Sequence, residues 1–90
     1  MATITAALRS DKRKTPTMHT YETVKAGDVV NGRTYWSLGD NGRAANVKVT
    51  SVKTWKTRPD IEIHLQFGMY EHWVETYANR DVETSLMVEV

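Results

Sequence analysis

The chain contains no cysteine. That one absence excludes a disulfide scaffold, a thiolate zinc site, an iron–sulfur cluster and a thiol nucleophile. No apolar run approaches the roughly 20 residues that a helical membrane span requires, so no membrane partner is expected. Met1-Ala2-Thr3-Ile4 opens no charged-then-apolar signal segment. With no cysteine to exploit an oxidising compartment, the expectation is a soluble, cytoplasmic protein.

Catalytic patterns are missing too. There is no Gly-x-Ser-x-Gly elbow, no phosphate-binding glycine loop and no His-Glu-x-x-His helix. Glu62, Glu71 and Glu75 would work as paired acid and base only if the fold closed two of them into one cleft; a solvated face balancing nearby lysines is their expected place. His19, His64 and His72 are spaced in no recognised ligand pattern, although pairing around Gly68-Met69 would bring His64 and His72 near one another. The expectation is a non-enzyme with no cofactor and no metal.

What the chain does have is short and β-rich. Ninety residues make room for one core and no separate catalytic lobe. Residues 1–18 stand apart: Ile4, Ala7 and Leu8 fall at helical spacing, and a polar, basic stretch through Lys14 follows, which predicts an N-terminal arm or short helix. From residue 19 to residue 90 the composition turns to Val, Ile, Thr, Tyr and Trp, broken by Gly, Asn and Pro, which predicts successive strands.

Asn31-Gly32 predicts a two-residue hairpin with a type I′ turn, and Gly39-Asp40-Asn41-Gly42 the next reversal. The run Asn46 to Trp55 is the longest; Val47 and Val49 share a face and Val52 breaks the alternation, which predicts a β-bulge near Thr50-Ser51. Ile61, Ile63, Leu65 and Phe67 alternate with Glu62, His64 and Gln66, so their face is core. Tyr70 to Tyr77 reads as another strand, and Ser85 to Val90 as a last one with Leu86, Val88 and Val90 on one side.

Five to six antiparallel strands with a bulge give an all-β fold, and the pattern over Tyr21 to Val90 resembles a small partly open barrel, SH3-like or alternatively OB-like. The resemblance is one of architecture and rests on no family motif.

Two surfaces stand out. Phe67, Met69, Tyr70 and Trp73 crowd around a predicted turn, either closing one end of the core or forming a contact surface for a partner. On the basic side, Lys53, Trp55, Lys56 and Arg58 mix charge with an aromatic ring, and Lys12, Arg13 and Lys14 lie on the arm. Such sets hold single-stranded nucleic acid in barrels of this kind. Residues 1–58 carry eleven Lys/Arg against four Asp/Glu, and residues 59–90 one Arg against seven Asp/Glu, so the overall charge is only +1. A dedicated nucleic-acid binder is more basic than that. The expected function is a non-catalytic module that binds itself or another protein, with nucleic acid as the alternative. The terminal strand, 85–90, is expected at a sheet edge where a neighbouring strand can add.

Overall fold

The computed structural model describes residues 2–8, 18–39 and 41–90. They form seven strands: β1 (Thr3–Ala7), β2 (Met18–Lys25), β3 (Thr34–Leu38), β4 (Ala44–Thr54), β5 (Ile61–Phe67), β6 (Glu71–Tyr77) and β7 (Glu83–Glu89). One 3₁₀ turn, Ala26–Asp28, follows β2. All seven strands lie in one sheet in the order β1-β2-β7-β3-β4-β5-β6, and every paired strand is antiparallel to its neighbour. The all-β expectation holds, with more strands than the five or six predicted.

Among the described residues the sheet is open, not closed into a barrel, with β1 and β6 as its two ends. β6 and the start of β7 approach through side chains, Ser85 Oγ donating to Glu75 Oε1 at 3.3 Å, but no backbone ladder joins them.

The predicted N-terminal helix is corrected. Thr3–Ala7 runs as a strand against β2, from Thr3 opposite Glu22 to Ala7 opposite Met18. A lone helix this short is marginal in water, whereas a strand beside β2 gains a full ladder, and the Thr-Ile-Thr start favours it. The Asn31-Gly32 hairpin is corrected as well. Val29 and Val30 are not in a strand, and among the described residues only glycines take positive φ, Gly32 at 84°. With Arg33 N–H donating to Val30 O at 3.3 Å, the turn has the single positive-φ residue at its third position that marks type II.

The bulge is where the alternation places it. Val49 pairs with Leu65 and Ser51 with His64, so Thr50 is the extra residue, and Val52 returns to face Ile63 and the core. β5 alternates as read: Ile61, Ile63 and Leu65 are buried while Glu62, His64 and Gln66 are not.

The terminal strand is not at an edge. β7 lies between β2, which it meets from Tyr21 opposite Glu89 to Lys25 opposite Glu83, and β3, through Trp36 opposite Met87. Its interior place follows from burying both faces. Leu86 joins a core with Val24, Tyr35, Val47, Val49, Ile63 and Leu65, while Met87 joins a second with Ala6, Tyr21 and Ala44, on the other side of the sheet. Val88 packs beside the first core as expected, but Val90 is exposed.

A strand with both faces covered reads as a continuous apolar run, as in parallel sheets. Leu86-Met87-Val88 carries a short version of that signal. The second core lies under β1, whose following residue Leu8 bridges Ala44 at the start of β4 in parallel. The N-terminal end of the sheet therefore curls over one face and the β4–β5–β6 end over the other.

Candidate functional site

The β5–β6 hairpin carries the aromatic cluster read from the sequence. Gly68, at φ 65°, supplies the left-handed residue that turns the chain, and Gln66 Nε2 donates to Gly68 O at 2.8 Å across the turn. The cluster divides in two. Phe67 is half-buried and packs against the first core. Met69 and Tyr70 stand at the tip with 77% and 88% of their surface exposed. Trp73, 37% exposed, lies between these extremes. With Leu38, Val47 and Phe67 it lines an open cleft of about 350 Å³ between the ends of β3 and β6.

β6 follows β5 without a register shift, from Phe67 opposite Glu71 to Ile61 opposite Tyr77. Glu71, Trp73, Glu75 and Tyr77 therefore share the face of Ile61, Ile63 and Leu65, and His72, Val74 and Thr76 share the outer face with His64. None of the seven residues of β6 is buried. Val74, an apolar side chain 49% exposed among polar neighbours, is a surface residue that the sequence reading did not single out. The signal was there: Val74 sits in phase with His72 and Thr76, where a strand paired on one side shows polar residues.

Glu75 is the most engaged of the candidate carboxylates. Its Oε1 accepts from the Tyr77 hydroxyl at 3.1 Å and from Ser85, and its Oε2 from Trp73 Nε1 at 3.4 Å. Burial, then the Glu75 charge and its hydrogen bond, raise the Tyr77 hydroxyl above its ordinary pKa. Glu62 is on the other face, its Oε1 2.6 Å from His64 Nε2. The three carboxylates are thus not gathered into one cleft.

His19 Nδ1 lies 2.7 Å from Glu89 Oε1. His72 is opposite Gln66, and His64 is opposite Val74, so the two histidines share the outer face but stand two residues out of register. Among the described residues no group of three or more His, Asp or Glu is placed to hold a metal ion.

Of the basic set, Lys12, Arg13 and Lys14 lie outside the described residues. Lys53 and Lys56 are exposed, and Lys53 stands directly opposite Glu62. Trp55 is half-buried; the Arg58 guanidinium lies 3.9 Å from its ring centre and is itself tied to Asp60, Nε to Oδ1 at 3.2 Å. The ring a base would stack on is therefore already covered on one side by a paired cation. Trp55 and Arg58 also line a second open cleft, of about 310 Å³, with Val29, Val52, Ile61 and Arg80.

No family model matches the chain, and no curated protein and no solved structure is significantly similar to it.

Proposed function

We propose that the chain is a non-catalytic self-assembly module whose docking element is the edge strand β6. One observation carries this reading: β6 is an end strand of the sheet, none of its residues is buried, and it presents Trp73 and Val74 beside the exposed Met69 and Tyr70. An edge strand offers a row of free N–H and C=O groups, and proteins that remain monomeric blunt such an edge with charged side chains, lysine above all, with inward-pointing charges, proline, a bulge or a covering element. β6 has no lysine and no proline, and its ladder with β5 has no bulge; its one device of this kind is the pair of inner-face carboxylates, Glu71 and Glu75, of which Glu75 already accepts hydrogen bonds from Tyr77, Ser85 and Trp73.

The opposite end is less available. β1 buries Ala6 and Ala7, and its continuation at Leu8 is already bridged to Ala44. We read β7, β3, β4, β5 and β6 as a small SH3-like barrel left open between β7 and β6, a gap crossed by the Ser85–Glu75 side-chain contact but with no backbone ladder on the β6 edge.

Light scattering from low to high micromolar concentration tests the reading. The expected result is a mass that rises from monomer to dimer, and a weaker association for Val74→Lys, because a lysine on an edge strand opposes strand addition. A mass that stays at one chain throughout overturns it.

A further inference from the structure

We infer that two copies pair β6 against β6, antiparallel, about a two-fold axis through Val74; this rests on the assembly reading above. A two-fold axis perpendicular to a sheet brings each residue opposite one from the same face, so the register must centre on a single residue. Three centres keep at least five of the residues Glu71–Tyr77 paired: Trp73, Val74 and Glu75.

A centre at Trp73 sets Glu71 against Glu75 twice. A centre at Glu75 sets Glu75 against its own copy. Like charges directly opposite are destabilising, so both registers are disfavoured.

A centre at Val74 meets neither obstacle. It pairs all seven residues, with Glu71 opposite Tyr77, His72 opposite Thr76 and Trp73 opposite Glu75 of the second copy. Each carboxylate then faces an aromatic side chain, Tyr77 or Trp73, and not a second carboxylate. The single protons of these rings stay on Glu75 of their own chain, from Tyr77 Oη at 3.1 Å and Trp73 Nε1 at 3.4 Å. The two Val74 side chains meet on the outer face, where each is now 49% exposed. Charge and apolar contact select the same register.

The pairing is also self-limiting. It consumes the β6 edge of both copies, and the far end of each sheet at β1 is turned toward β4 through Leu8 and Ala44. The assembly stops at a dimer instead of growing as a fibre.

The absence of native cysteine makes a register test direct. Val74→Cys places two thiols directly opposite, roughly 5 Å apart at Cα, within disulfide reach. Thr76→Cys, on the same exposed face, places them roughly 14 Å apart, out of reach. Each variant is incubated with oxidised glutathione at a concentration where wild type is dimeric, with circular dichroism to confirm the β spectrum.

The expected result is a covalent dimer for Val74→Cys and loss of cross-linking for Thr76→Cys. A dimer that cross-links through Thr76→Cys, or through neither variant, overturns this register while leaving self-assembly in place. Species larger than a dimer overturn the closure. A wild type that is monomeric at high micromolar concentration overturns the assembly reading itself.

Discussion

Leu86 and Met87 are consecutive on β7 and are buried to 1% and 0% exposure in two different cores on opposite faces of the sheet. β7 thus fastens the two curls of the sheet together. Truncation of either side chain leaves a cavity, so Leu86→Ala and Met87→Ala should each cost about 2–5 kcal/mol in urea unfolding. Val90→Ala, three residues on and exposed, should stay within about 0.5 kcal/mol. Equal, small effects at all three positions would show that β7 is not the shared strand.

How much of this was legible follows from which signals are local. β5 was readable because Ile61, Ile63 and Leu65 alternate with polar residues, and the bulge at Thr50 because Val52 falls out of phase with Val49. Both are patterns inside one strand. The place of β7 depends on what covers Met87, and that is set by Tyr21 and Ala6, more than sixty residues away in sequence. Thr3–Ala7 reads equally as a weak helix or a strand, and only the ladder with β2 decides it. The aromatic turn was found at Phe67, Met69, Tyr70 and Trp73, but the split between Phe67 against the core and Met69 and Tyr70 at the tip needs the sheet's curvature.

The two buried tyrosine hydroxyls make a contrasting pair. Tyr35 Oη accepts the Val30 N–H at 2.9 Å, whereas Tyr21 Oη is buried with no hydrogen-bond partner among the described residues. A satisfied bond contributes about 0.5–1.5 kcal/mol, while an unsatisfied buried group is a cost. Tyr35→Phe should therefore destabilise by about that amount, and Tyr21→Phe should be neutral or stabilising. Matching losses in the two variants, measured by chemical denaturation, would contradict the assignment.

Stability should fall in alkali for a reason that can be located. The Tyr77 hydroxyl titrates above its ordinary value of 10.0 because it is partly buried and faces Glu75. A group whose pKa is raised by folding adds stability that is complete below the unfolded pKa and is lost as pH rises through the folded one. Thermal melts should show the midpoint dropping above about pH 10, and Tyr77→Phe should flatten part of that drop. Desolvation raises the Tyr21 hydroxyl as well, so some slope should persist in the variant. A melt midpoint that does not fall above pH 10 would remove the assignment.

Trp55 has Arg58 over its ring, Arg58 is tied to Asp60, and Lys53 stands opposite Glu62, so positive charge here is interleaved with negative. A base arriving at Trp55 would have to displace a cation–π contact contributing about 0.5–1 kcal/mol at an exposed site. The expected outcome is no oligonucleotide binding tighter than roughly 10⁻⁴ M at physiological salt, the weak end of non-specific affinity. Trp55→Ala should lower the melting midpoint without any ligand present. Because the ring is half-buried, the loss should fall below the roughly 3–5 kcal/mol typical of a core tryptophan.

The opposite pattern would be just as clear in a salt titration. A nucleic-acid surface would give affinity falling with log salt at about −0.7 per phosphate neutralised, a slope reduced by Lys53→Ala or Lys56→Ala, and Trp55→Ala would lose about 1–3 kcal/mol of binding. Low-micromolar, salt-sensitive binding with that response would place the basic side ahead of β6 as the functional surface.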